Sequence, residues 1–269
     1  LVVVQLTDDC IDRFQRDGVV ILRGVFGPWI ERLSRGMAAV HAKPSLLERS
    51  YQPRDGSAAF FQDFCRWSDD PDYRAFVFDS PAAEIAGRLM RSSTARFFHD
   101  HTLIKWAGNS TVTPWHQDEP YYCVRAEQSV SFWIPLDPVS AKTALQCVAG
   151  SHRWSEKGFR PERFDGSSLY EGGDFDAYPD IEGARDTYAI KVWDMNPGDA
   201  VAFDFRTIHG AAGNDSVHHR RVFSARWMGD DARFVRRPGR TSPPFPNLGL
   251  RDGEPMLAPE FPLVWSAQA

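Results

Sequence analysis

The feature that most limits what this chain can fold into is a change of character after Ser92. Beyond that point the sequence reads as short extended runs separated by turn residues. Strands are expected at 96–106, 129–136, 144–148, 187–193, 199–205 and 220–228. Within 96–106, Phe97, His99, His101, Leu103 and Lys105 share one face; Phe98, Asp100, Thr102, Ile104 and Trp106 share the other. Many short strands with turns between them make a sandwich, a barrel or a jelly roll. A jelly roll brings sequence-distant strands side by side.

Before Ser92 the signals are helical. Thr7 can cap a helix running to Asp17, with Asp8 and Asp9 at its positive end and Gly18 to stop it. A strand follows at 19–22. From Pro28, Ile30, Leu33, Met37 and Val40 recur at helical spacing, which indicates core packing. Asp70-Pro71 and Ser80-Pro81 each open a further helix. Residues 43–64 are irregular and polar and read as a loop. Residues 153–186 form a Gly-rich loop long enough to be functional or disordered, and the tail from Arg236 reads as extended packing or disorder.

No repeat and no Pro/Ser linker divides the chain. We therefore expect one domain over 1–269, helical to about residue 92, a β core over about 93–235, and a tail. A 42% hydrophobic, 25% charged composition is that of a globular protein with a sizeable core. The net charge of −5 argues against a nucleic-acid or membrane-surface partner. The four cysteines are scattered without a Cys-X-X-Cys pair, so they read as free thiols in a reducing compartment. Leu1-Val2-Val3-Val4 is too short for a signal peptide or a membrane span. The expected location is the cytoplasm, and the absent initiator Met reads as trimming.

The chemistry centres on residues 113–122, Thr-Pro-Trp-His-Gln-Asp-Glu-Pro-Tyr-Tyr. On an extended segment His116 and Asp118 point to one face. One imidazole and one carboxylate make two-thirds of the 2-His-1-carboxylate triad that holds Fe(II) with open positions. A lone His-X-Asp is a weak signal. His209, far downstream in Phe-Asp-Phe-Arg-Thr-Ile-His-Gly, is placed to supply the third ligand.

Several motifs then occur in one order: Pro114-Trp115-His116-Gln117-Asp118, Phe132-Trp133-Ile134-Pro135-Leu136-Asp137, Gly150-Ser151-His152, Pro197-Gly198-Asp199, His209-Gly210-Ala211 and Arg220-Arg221. Together they resemble the phytanoyl-CoA dioxygenase-like family of Fe(II)/2-oxoglutarate oxygenases, over about residues 17–231. Ala149 departs from the Pro that usually precedes the Gly-Ser-His, which loosens a turn. The resemblance implies a mainly β fold with flanking helices, its core a double-stranded β-helix of the jelly-roll, cupin-like type.

It also implies roles. His116, Asp118 and His209 would be the iron ligands. Arg220, eleven residues after His209, would bind the distal carboxylate of 2-oxoglutarate, a task suited to a planar, permanently charged group. Arg221 should point the other way along the strand. Arg226 shares the face of Arg220 and either lines the pocket or makes a surface or interdomain ion pair. Lys105 and Trp133 fall near co-substrate positions, against the alternatives of a solvated strand end and core packing. Gln117 is a weaker co-substrate candidate, and His152 is placed to face the substrate. His99 and His101 read as core or pocket wall, and His218 and His219 as a solvated turn.

The implied reaction consumes O2 and 2-oxoglutarate, releases succinate and CO2, and hydroxylates a small-molecule substrate. Related halogenases carry a small residue in place of the carboxylate, so Asp118 favours hydroxylation. Trp115, Tyr121, Tyr122 and the 153–186 loop would shape the substrate pocket. With no basic run suited to a CoA tail, a small polar metabolite is the expected substrate. The alternatives are a jelly-roll metal-binding protein, or a cupin-type enzyme that does not use 2-oxoglutarate.

Overall fold

The computed structural model describes residues 6–267; Leu1-Val2-Val3-Val4 lies outside them. Four helices come early: α1 (Asp8–Asp17), α2 (Ile30–Ala42), α3 (Pro71–Asp79) and α4 (Ala82–Met90). The strands are β1 (Val19–Leu22), β2 (Phe60–Phe64), β3 (Thr94–Lys105), β4 (Thr113–His116), β5 (Val124–Arg125), β6 (Ser129–Pro135), β7 (Leu145–Val148), β8 (Ile190–Lys191), β9 (Ala200–Phe203), β10 (His209–Ala211), β11 (Arg220–Met228), β12 (Arg233–Phe234) and β13 (Leu263–Ser266). Local chemistry sets the helix ends. Thr7 accepts from the Cys10 amide, Gly18 closes α1 at φ +70°, and Asp70 accepts from the Asp72 and Tyr73 amides.

Two antiparallel sheets carry the site. The larger runs β1-β9-β6-β11-β3-β13, with β2 also paired to β3; the smaller runs β4-β10-β7-β8. Alternation along the strands decides what each face meets. On β11, Phe223, Ala225 and Trp227 pack with Leu33, Tyr73, Phe76 and Leu89 of the helices. Val222, with Trp133 and Val201, turns to the other face and meets Leu145, Cys147 and Ala211 of the smaller sheet. The helices therefore cover one face of the large sheet, and the small sheet packs on the other. The fold is the expected mainly β jelly roll with flanking helices.

Two expectations change, and a third is resolved. Residues 43–64 are not loop throughout, because Phe60–Phe64 is a buried strand paired with β3. Its one carboxylate, Asp63, accepts from Arg66 and Ser45, which makes burial of a polar-looking segment tolerable. The 187–193 strand shrinks to Ile190–Lys191 after a turn at Arg185–Thr187. The tail from Arg236 follows the extended-packing alternative: β13 pairs with β3, and Met256 and Phe261 are buried. The four cysteines are unbridged. Among the described residues no helix is long and apolar enough to cross a membrane.

Candidate active site

His116 ends β4 and pairs in register with His209 at the start of β10. Antiparallel pairing thus brings the two imidazoles together, with ring centroids 4.2 Å apart. Asp118 arrives differently from the extended-strand expectation. The strand stops at His116, and Asp118 adopts helical φ and ψ of −76° and −43° at the head of a 3₁₀ turn. Its amide and that of Glu119 donate to the Phe205 carbonyl, 2.8 and 3.0 Å away. That turn, and not strand periodicity, aims the carboxylate.

The Nε2 atoms of His116 and His209 each lie 3.7 Å from Asp118 Oδ1. Both Nδ1 atoms sit against backbone carbonyls two residues upstream, at Pro114 (2.8 Å) and Thr207 (2.9 Å). A neutral imidazole that donates from Nδ1 leaves its Nε2 lone pair free for a metal. The three ligand atoms lie within 4.8 Å of one another. Two such nitrogens and one carboxylate oxygen fit the donor set of a non-haem Fe(II) site.

Electrostatics support that state. Burial, with His116 alongside, pushes His209 down to about 3, so it is neutral. Burial would raise Asp118, but Arg226 and the two imidazoles outweigh it and hold the carboxyl well below its usual range. Arg226 makes the ion pair directly, its guanidinium 3.2 Å from Asp118 Oδ2, and also donates to the Tyr122 hydroxyl. Arg226 therefore lines the cavity as the first reading had it, and its ion pair is a buried one with Asp118 and not the surface or interdomain pair of the alternative.

The trio opens into a cavity of about 200 Å³ between the sheets. Its large-sheet wall is laid out in cross-strand rows. Phe60, Lys105 and Arg220 form one, and Phe64, His101, Ser224 and Trp133 another. Arg220 is buried, donates to the Thr143 and Ala212 carbonyls, and lies 5.9 Å from the Trp133 ring. Burial lowers its pKa to about 10, which leaves it charged. Lys105 Nζ donates to Thr111 O, Thr113 Oγ1 and Ala212 O at 2.6–3.1 Å. None of these acceptors is charged, and burial and Arg220 together bring Lys105 down to about 6. Among the described residues neither cation pairs with a carboxylate.

Other expectations sort cleanly. Arg221 points away and pairs with Asp137 at 2.7 Å. Trp115, Tyr121 and Tyr122 line the cavity, as do Glu162, Phe164 and Tyr178 of the 153–186 loop. Gln117 is a correction: its fully buried side chain faces away from the cavity, bonded to the Arg206 carbonyl and the Phe159 amide. One position along from His116, it falls on the opposite side of the chain. His152 is a second correction, because its ring packs against Gly18 and Thr207 instead of the cavity. His101 lines the cavity, whereas His99 lies beyond it. His218 and His219 border a separate groove on the helix-covered face, beside His41 and Trp106. Phe60, Gln62 and Phe64 escaped the sequence reading because β2 did; the apolar run Phe-Phe-X-X-Phe was the available signal.

Comparison with known proteins fits this geometry. The model of the family described as Phytanoyl-CoA dioxygenase (PhyH) matches residues 14–222. A "Probable phytanoyl-CoA dioxygenase" of Caenorhabditis elegans is 28% identical over 199 residues; the match covers 70% of this chain and 61% of that protein's length. Among solved structures, the non-haem alpha-ketoglutarate-dependent carbocyclase SnoK from nogalamycin biosynthesis superposes with TM-score 0.77 at 21% identity, covering 97% of each chain. The epimerase SnoN in complex with Fe3+, alpha ketoglutarate and nogalamycin RO gives 0.76 at 20% identity, covering 96% and 98%. EctD from S. alaskensis with 2-oxoglutarate and 5-hydroxyectoine gives 0.68 at 18% identity, covering 96% and 88%. The structural likenesses establish the shared fold, and with the family match over most of its length this chain belongs to the phytanoyl-CoA dioxygenase family.

Proposed function

We propose that the chain is an Fe(II)- and 2-oxoglutarate-dependent dioxygenase, working as one catalytic unit, that hydroxylates a small metabolite and releases succinate and CO2. One observation carries the reading. A single cavity holds the His116, Asp118 and His209 donor set together with Arg220, a buried cation that no acidic side chain neutralises among the described residues. Burying such a charge is costly unless a ligand of opposite charge completes it. SnoN and EctD, which share the fold, were solved with this co-substrate.

Bound Fe(II) and 2-oxoglutarate would supply the oxidising chemistry. The chain's own residues hold and orient. His116 and His209 present Nε2 lone pairs, fixed by their Nδ1 contacts. Asp118 contributes the negative charge, and Arg226 steadies its second oxygen. Arg220 anchors the distal carboxylate of the co-substrate, with Lys105 beside it and Trp133 against the guanidinium. Asp118 fills the position that a halogenase leaves open, which favours hydroxylation.

The test is anaerobic addition of Fe(II) and 2-oxoglutarate to the metal-free protein. A weak visible charge-transfer band is expected in the wild type. It should vanish in His116→Ala and need far more 2-oxoglutarate in Arg220→Ala. Bound iron without a band would overturn the reading in favour of a cupin-type or binding protein.

A further inference from the structure

Two residues of the wall row next to Lys105 and Arg220 have no part in the reading above. His101 on β3 and Ser224 on β11 are cross-strand partners, and both border the cavity. They are at most 9% and 1% exposed. His101 Nε2 and Ser224 Oγ are buried and without a hydrogen-bond partner among the described residues. Buried polar groups are rarely left so, because each forfeits its hydration without compensation. Two such groups side by side on a cavity wall mark a place where a ligand atom completes the bonding.

We propose that His101 and Ser224 form a substrate subsite that recognises a neutral hydroxyl group on a flat, apolar-bodied substrate. This deepens the oxygenase reading and rests on it. The surroundings select the chemistry. Phe64 stacks on the His101 ring at 3.9 Å and Trp133 continues the row. Trp115, Tyr121 and Tyr178 also line the cavity. An aromatic-lined slot favours a flat body with apolar faces.

Charge decides the handle. Arg226, two residues beyond Ser224 on the same face, is a buried cation that disfavours an ammonium group; Asp118 pairs with its Nε and Nη2, and its Nη1 has no partner among the described residues. Burial, with Arg226 next, keeps His101 neutral. A carboxylate here would give up its hydration to a neutral ring and a hydroxyl, a poor exchange. A hydroxyl suits both partners, since it accepts from Ser224 and donates to an imidazole nitrogen.

The experiment uses phenol and toluene as probes of equal bulk. Their binding to the protein with Fe(II) and 2-oxoglutarate, without O2, is followed by ligand-observed NMR. Wild type should prefer phenol over toluene. His101→Phe, which keeps the stacked ring, and Ser224→Ala should each weaken phenol by about five- to tenfold, the loss expected for one hydrogen bond. Toluene binding should change less than about twofold, because no hydrogen bond to it is lost. Absence of a phenol preference in wild type, or equal loss of both probes in the variants, overturns the subsite. The visible band is recorded on the same samples. Its absence from wild type would sink the oxygenase reading, whereas a normal band with no phenol preference would sink only the subsite.

Discussion

Arg220 and Lys105 are cross-strand partners on β11 and β3, two buried basic side chains side by side with no acidic partner among the described residues. Charging both would destabilise the sheet, and Lys105 is accordingly held near 6 by burial and Arg220, which leaves Arg220 as the standing charge. A dicarboxylate co-substrate removes the conflict. Arg220→Ala should therefore raise the 2-oxoglutarate concentration needed for half-maximal band formation on the order of 100-fold, the usual scale for truncating one member of a buried ion pair. Iron affinity measured without 2-oxoglutarate should be unchanged. An equal loss of both would assign Arg220 to structure and not to co-substrate binding.

Lys105 makes co-substrate binding pH-dependent. Its pKa in the free site is near 6, pushed down by burial and then by Arg220. A bound carboxylate would pull it back toward the ordinary lysine value. Between those two values binding takes up a proton, so 2-oxoglutarate affinity should fall as pH rises from about 7 to 9. Lys105→Met should abolish the slope. The sign for folding is opposite: an unfolded lysine keeps its proton up to about 10.4, so between about 6 and 10 the unfolded chain binds more protons and stability rises with pH. Calorimetry in buffers of different ionisation enthalpy measures the first effect, and denaturant melts across that range measure the second.

Arg226 and Asp118 form a buried pair, each under a tenth exposed. Removing one partner leaves the other charge unmatched, at a cost of about 3 kcal/mol or more. In Arg226→Gln without metal, Asp118 is that stranded charge. A divalent cation held by Asp118 then relieves more strain than in the wild type. The thermal shift produced by Fe(II), or by Zn(II) as a redox-inert substitute, should therefore be larger in Arg226→Gln. An equal or smaller shift would mean that Asp118 is not a metal ligand.

Much of this architecture is legible from periodicity. The strands β6, β7 and β11 stand within a residue of their expected bounds because runs of β-branched and aromatic residues bounded by turns are a local signal. What sequence hides is set by distant partners. β2 is short and carries Gln62 and Asp63 among its phenylalanines, so it reads as polar, and its buried Asp63 is tolerable only because Ser45 and Arg66 meet it. Asp118 faces the imidazoles through a turn held by the Phe205 carbonyl, a contact that no reading of His-X-Asp could supply. Gln117 and His152 failed as pocket residues for the same reason: each is claimed by a hydrogen bond or a packing contact from a remote segment.

Gln117 yields the last test because its buried amide joins two segments without touching the cavity. Its Oε1 accepts from the Phe159 amide at 3.0 Å and its Nε2 donates to the Arg206 carbonyl, tying the 153–186 loop to the chain between β9 and β10. Gln117→Leu keeps the volume and strands both backbone groups. Each orphaned buried group costs about 1–3 kcal/mol, so the variant should lose at least about 2 kcal/mol in denaturant melts. The loop that carries Glu162, Phe164 and Tyr178 to the cavity should also loosen, seen as faster amide exchange across 155–180. If Gln117 acts only as this tie, 2-oxoglutarate should still produce the visible band at near wild-type concentrations in the folded variant. A selective loss of 2-oxoglutarate binding with unchanged stability would instead return Gln117 to the co-substrate site and refute the tether.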